Sequence, residues 1–363
     1  MKRLPIFLIV TFLSNPIMIT SSDAQIDGLG TFLATGSNDA QKLFGAYLSP
    51  WINGFGTCLT GGWYSTAKVH KPGGFDFSIT TNTARIPTKY NTYDVNDLKL
   101  ENFVLANQSY TISSTVAGDA IAGPQLNYYF NNQDLGKAFE LPKGTSINIV
   151  PSAMAQLSIG LIKGTEISVR YLPPIKIRKN NSIGLWGAGI KHSLKQWIPA
   201  VDKIPFLNLT IQGGYTRLTT KFGVKITPTA IGLSAFEDQL PSDTWNDQQL
   251  MMHVSSFTGN ILISADIPFF SFYAGIGFAS TITRIDAKGV YPGAGYNTST
   301  NELELIQTKK DPFSLKVKNQ EGGATKPRIS VGSRLKLGFF TLFGEYTYAS
   351  YTLFTGGIGV TFR

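Results

Sequence analysis

From Gly74 to Phe362 the chain keeps returning to one pattern, in which apolar and polar residues alternate with a period of two. In "GFDFSITT", Phe75, Phe77 and Ile79 fall on one face and Asp76, Ser78 and Thr80 on the other. "GTEISVRYLP" sets Ile167, Val169 and Tyr171 against Glu166, Ser168 and Arg170. "FFSFYAGIGFASTI" sets Phe270, Phe272, Ile276 and Phe278 against Ser271, Tyr273, Gly275 and Gly277, and "RISVGSRLKL" sets Ile329, Val331, Leu335 and Leu337 against Ser330, Arg334 and Lys336. Side chains alternate across a strand, whereas helical faces repeat every three to four residues, so this pattern predicts strands.

Alternation alone fits two folds. In a soluble sandwich the polar face meets water and the apolar face builds a core. In a membrane barrel the apolar face meets lipid and the polar face lines the lumen. Composition favours the second: charged residues are 15% and aromatics 12%, with 37 Gly and 15 Tyr, where soluble domains carry about 25% charged residues. The end of the chain favours it too. "TGGIGVTFR" alternates up to Phe362 instead of trailing into a polar tail. A sheet edge in lipid leaves N–H and C=O groups unpaired at a cost of several kcal/mol each, so the last strand must close on the first. Phe354, Ile358, Val360 and Phe362 form the outward face of that closing strand. A terminal aromatic is also a feature that barrel-assembly machinery recognises, although Arg363 comes after it here.

The N-terminus reads as an export signal over residues 1–24. Lys2 and Arg3 precede the apolar run "LPIFLIVTFL", and "SSDA" offers small residues for cleavage before Gln25. Beyond it no run of about 20 apolar residues remains, which excludes a helical membrane protein. Residues 25–73 differ from the alternating remainder of the chain. "NDAQKLFGAYLSPWINGF" carries Leu43, Phe44, Tyr47 and Leu48 at helical spacing behind a candidate N-cap, Asp39, and Pro50 predicts the helix end. This segment is expected to be a lumenal plug or a periplasmic cap ahead of a barrel over residues 74–363.

The expected fold is therefore all-β, an antiparallel transmembrane barrel of about 12 strands. They fall near 74–83, 99–115, 123–130, 146–160, 164–176, 182–191, 205–219, 248–265, 269–284, 326–337, 338–349 and 351–362. Fourteen is the alternative, if "NELELIQT" and "FSLKVKN" join the wall instead of forming a hairpin above the membrane. Short connections fall mostly on the side of the C-terminus and long polar ones on the other, the asymmetry of an outer-membrane barrel with short periplasmic turns. Outer-membrane lipid and the barrel-assembly machinery are then the expected partners, and the expected location is the outer membrane.

Little in the chain carries chemistry. Cys58 is the single cysteine, and His70, His192 and His253 are scattered. Zinc-protease, P-loop and nucleophile-elbow motifs are absent, so neither enzyme activity nor a cofactor or metal is expected. A net charge of +9 is spread without a patch, which argues against nucleic acid. The lumen-facing candidates are Glu166, Arg170, Arg334 and Lys336, which either hold the plug, line a path, or pair with one another.

The stretches "GTEISVRYLPPIKI" and "GAGIKHSLKQWIP", with a signal and a helical segment ahead of the first strand, resemble the FadL-type outer-membrane barrels. With "YLSPWINGFG" and "GGWYSTAKVHKPGGFD", the chain is more similar still to an uncharacterised family of outer-membrane proteins. The FadL resemblance implies 14 strands, an N-terminal hatch in the lumen and passage of small hydrophobic molecules. The Asn-Pro-Ala motif of the hatch is missing, with only Ser49-Pro50 near its place. Two functions are then expected: a plugged channel for small hydrophobic molecules, or a sealed structural partner of a surface complex.

Overall fold

The computed structural model describes residues 38–362, apart from 179–180, 232, 240, 242, 298, 301, 308–312 and 319–324. The expected signal peptide and residues 25–37 lie outside the described residues. Ten strands form one closed antiparallel sheet: β1 (Phe75–Arg85), β2 (Ile149–Gly160), β3 (Thr165–Arg178), β4 (Asn181–Ser193), β5 (Leu207–Gly223), β6 (Gln249–Asp266), β7 (Phe270–Lys288), β8 (Thr325–Leu337), β9 (Phe340–Tyr348) and β10 (Thr352–Phe362). Each pairs with its neighbours in sequence, and β10 returns to β1 in a register running from Phe75 opposite Phe362 to Arg85 opposite Thr352. The chain thus ends in the seam of a cylinder, as its closing alternation predicts.

Ten strands replace the expected 12. The ranges 99–115 and 123–130 are not in the wall. Phe103–Leu105 pairs with Gln125–Phe130, which pairs in turn with Gln133–Glu140, and Thr92–Asp94 pairs with Ile112–Ser114. All lie in the long connection between β1 and β2. Alternation reports that a strand has one buried face; it does not report which core buries it. Here the core is a local one, with Phe103, Leu105, Leu126 and Tyr128 gathered on Leu43, Phe44 and Tyr47. The 14-strand alternative also falls away. Glu302–Gln307 pairs with Pro292–Asn297, and Phe313–Lys318 adds to the upper part of β7, so these two segments are not each other's partners.

The two faces of the cylinder differ sharply. Outward, Phe272 is 61% and Ile276 59% exposed, in a belt that includes Ile79, Val169, Ile190, Ile211, Ile263, Val331, Leu342 and Ile358. Aromatics ring this belt twice: Phe75, Trp197, Phe206, Phe269, Phe340 and Phe362 at the short-turn end, and Tyr171, Trp186, Phe257, Phe278, Tyr346 and Phe354 toward the other. Inward the wall is Thr, Ser, Asn, Gln and a few charges, yet most of these are buried. Polar residues inside a cylinder are buried only if something fills it.

The filling is the chain's own N-terminal part. Helix α1 (Asn38–Thr60) does not stop at Pro50, as expected, but runs through it. Proline there cannot donate to the Ala46 carbonyl, and the Ser49 hydroxyl does so instead, at 3.2 Å. Near the end of α1, Leu59 meets Met154, Leu185, Leu218 and Val254 of the wall, and Cys58 meets Ala84, Val150 and Leu353. Gly62, at φ +71°, then turns the chain in a left-handed conformation that favours glycine. Trp63, Tyr64 and Ala67 continue down the lumen against Leu262 and Tyr273.

Candidate functional site in the barrel lumen

A helix leaves its last carbonyls without intrahelical partners. In α1 these point at two arginines from different parts of the wall. Arg170 of β3, 0% exposed, donates through Nη1 to the Leu59 carbonyl at 3.1 Å and through Nη2 to the Gly61 carbonyl at 2.7 Å. Arg328 of β8 donates to the Thr60 carbonyl at 2.9 Å. Both guanidiniums sit where the helix dipole is negative, and their planar forks match several acceptors at once. Gln156 Oε1 accepts from Arg170 Nε at 2.9 Å, while Arg328 also approaches Glu345 at 3.6 Å.

Trp63 lies directly beyond this clamp. The Arg170 guanidinium stacks 3.6 Å from the centre of its ring, a cation–π contact. The opposite support is a floor of glycine: a Cβ at Gly189 of β4 or Gly214 of β5 would intrude on the Trp63 ring. The wall is thus cut to receive one side chain of the lumenal segment.

The lower part is fastened separately. Tyr64 and Ser330 share a hydrogen bond of 2.8 Å, and Thr66 donates to Asp266 at 2.7 Å. The carboxylate of Glu166, 3% exposed, accepts from the backbone N–H of His70 at 3.1 Å, lies 2.7 Å from His70 Nδ1 and pairs with Lys191 at 3.0 Å. Nε2 of His70 is 2.9 Å from the Thr361 hydroxyl in β10. The order Thr361–His70–Glu166 has the outline of a hydroxyl–imidazole–carboxylate relay. Its setting is that of a fastener: Glu166 is also engaged by Lys191 and a backbone N–H, and Glu166 and Thr361 are buried in the wall where His70 of the lumenal segment meets them. Finally Gly73 donates to the Gly160 carbonyl at 3.0 Å, at the short-turn end where β1 begins.

The upper end of α1 is tied to the long loops. Asn38 Nδ2 donates to Glu101 at 3.0 Å, Lys42 Nζ to the Lys99 carbonyl at 2.7 Å, and Trp51 Nε1 to the Ile147 carbonyl at 3.1 Å. Asp39 is not an N-cap, as its position suggests. Its carboxylate turns to the neighbouring loop and accepts the backbone N–H groups of Glu101 and Asn102 at 2.9 and 2.6 Å. The Asn38 amide and Lys42 in turn hold the Glu101 carboxyl below its usual range.

Of the four lumen-facing candidates, the structure brings Glu166 and Arg170 onto the lumenal segment. Arg334 is buried beside Asp76 of β1, at 3.3 Å, and so joins two wall strands. Lys336 is half-buried near the short-turn end and belongs to neither clamp. Phe354, Ile358 and Phe362 are exposed on the outer face and Val360 is half-buried there, with Phe362 stacked on Phe75 at a ring separation of 5.8 Å. Arg328, Lys191 and His70 are not singled out by the sequence. Alternation around "RISVG" could have placed Arg328 inward, but nothing local pairs His70 with a carboxylate 96 residues away. Among the described residues no group of three His, Cys, Asp or Glu could hold a metal, and no helix is long and apolar enough to cross a membrane.

No curated protein matches the sequence. Among solved structures, the translocator domain of the autotransporter NalP from Neisseria meningitidis is 9% identical, covering 91% of this chain and 99% of its own, with a TM-score of 0.29. The outer-membrane protease OmpT from Escherichia coli is 9% identical over 80% of this chain and 97% of its own, with a TM-score of 0.32. The toluene transporter TbuX of Ralstonia pickettii is 7% identical over 85% and 93%, with a TM-score of 0.27. Residues 1–362 match the description "Family of unknown function (DUF6588)", and the chain belongs to that family.

Proposed function

We propose that this chain spans the outer membrane as a sealed barrel and serves as a structural scaffold, with its long loops as the surface offered to partners. The observation that carries this reading is the double clamp of Arg170 and Arg328 on the end of α1. A plug meant to leave would not need two buried guanidiniums on consecutive carbonyls. Two cavities beside it are small, about 40 Å³ between α1 and β7–β10 and about 20 Å³ beside Trp63 and His70. An apolar cavity that takes up benzene measures about 150 Å³. Passage of a small hydrophobic molecule, the other function implied by the FadL resemblance, would require residues 38–73 to leave the wall.

The test is reconstitution. Purified protein in planar bilayers is expected to give no conductance steps. Liposomes containing it should take up a small aromatic hydrocarbon no faster than empty ones. Faster uptake by the unmodified protein would overturn the sealed reading in favour of the channel.

The membrane setting has its own test. Ile276 sits in the outward belt between the two aromatic rings, so Ile276→Arg should destabilise the folded barrel in lipid by about 2–4 kcal/mol. Gly275, next to it, faces the lumen, where an added Cβ meets Leu262 at 2.7 Å and Ser330 at 2.9 Å. Gly275→Arg should therefore disturb the lumenal segment. Urea titration of the folded band on cold gels measures the first, and conductance the second. Equal, negligible effects would reject this assignment of faces.

A further inference from the structure

The path of the lumenal segment sets its two ends on opposite sides of the barrel. Asn38 lies among the long loops, bonded to Glu101. Gly73 lies at the short-turn end, bonded to Gly160, and β1 starts there at Phe75. Between them the chain crosses the cylinder once, end to end. α1 alone, at 23 residues, is about 35 Å long, enough for the hydrocarbon thickness of a bilayer. Ten strands bring β10 back to the short-turn end. An even-stranded barrel holds the start of its first strand and the end of its last on one side; this pass puts Asn38 on the other.

We infer that the barrel carries the start of α1, at Asn38, across the outer membrane and holds it on the outer face. The inference rests on the proposed orientation, with the short turns in the periplasm. The start of α1 reaches the surface through the same lumen that the rest of the pass occupies. Once the Arg170 and Arg328 clamps close on residues 59–61, it cannot be drawn back without breaking them.

The experiment uses cysteine labelling of the full chain in cells. The native Cys58 is fully buried, with its thiol 3.0 Å from the Val150 carbonyl, and gives no background while the barrel is folded. Three variants are compared: Asn38→Cys at the start of α1, Ser109→Cys in the β1–β2 connection, and Lys163→Cys in the turn between β2 and β3. A membrane-impermeant maleimide is applied before and after the outer membrane is permeabilised. Asn38→Cys and Ser109→Cys are expected to label in intact cells, and Lys163→Cys only after permeabilisation. If Ser109→Cys labels in intact cells and Asn38→Cys does not, the inference fails while the orientation stands. If Lys163→Cys labels in intact cells and Ser109→Cys does not, the orientation fails and the inference with it. A protease-cleavable tag inserted directly ahead of Asn38 decides the matter if Asn38→Cys does not assemble: digestion of the tag in intact cells supports surface display, and protection overturns it.

Discussion

Arg170→Met is expected to release the lumenal segment while leaving the barrel closed. The substitution keeps most of the side-chain volume and removes the donors to Leu59 and Gly61. Loss of the donor to the buried Gly61 carbonyl costs about 1–3 kcal/mol, the Leu59 carbonyl keeps a 3.3 Å bond from the Thr216 hydroxyl, and loss of the stacking on Trp63 adds to the cost. Relief of the desolvation of the guanidinium offsets part of this, since burying a charge is itself costly. The net destabilisation should be about 3 kcal/mol, and it acts on the segment's docking, because the strand ladders of the wall are untouched. Cys58, one residue before Leu59, reports it. With the segment docked, the thiol is sealed between Val150 and Asn82. In Arg170→Met its labelling rate by a small thiol reagent should rise on the order of a hundredfold, the factor that corresponds to such a change in the opening equilibrium. Arg170→Lys should fall between, because an ammonium keeps the charge but lacks the planar fork that reaches both carbonyls. Cold-gel migration should stay that of a folded barrel in both variants. Unchanged Cys58 labelling in Arg170→Met would mean that the clamp does not hold the segment.

How much of this fold is legible in the sequence depends on the range of each signal. Alternation is local, and it places all ten wall strands within a few residues. The same signal misplaces 99–115 and 123–130, because a strand facing the loop core around Leu126 alternates just as a strand facing lipid does. Pro50 shows the limit of a local rule. The lost hydrogen bond is a real cost, but Ser49 offsets it, and the surrounding wall gives the second half of α1 a surface on which to remain helical. The inward direction of Glu166 and Arg170 is legible from their strand's alternation. Their partners are not: the Leu59 carbonyl lies 111 residues from Arg170, and carbonyl groups leave no mark in a sequence. Gly189 and Gly214 read as ordinary strand glycines until Trp63 is placed against them.

The end of the chain carries the other large effect. Deleting Phe362 and Arg363 removes the last pair of the β1–β10 ladder, Phe75 with Phe362, and the stacked rings that go with it. It also brings the chain's free carboxylate to Thr361, whose hydroxyl meets His70 and whose N–H donates to the Phe339 carbonyl at 2.7 Å. A charge there would sit on the residue that meets His70, in the fastening of the lumenal segment. The closing pair, the terminal aromatic at the interface and the fastener around His70 are then lost or disturbed together. In a soluble domain a two-residue trim of an exposed end is usually harmless. Here the yield of folded, heat-modifiable protein in the outer membrane should fall severely. Deleting Arg363 alone should be mild, because the ladder to Phe362 remains whole. Phe362→Ala separates the two contributions: it keeps the backbone pair and removes only the ring, so its yield should lie between those of the two deletions. If the double deletion accumulates as folded barrel at the level of the full chain, the pairing of β10 with β1 is not what completes the cylinder.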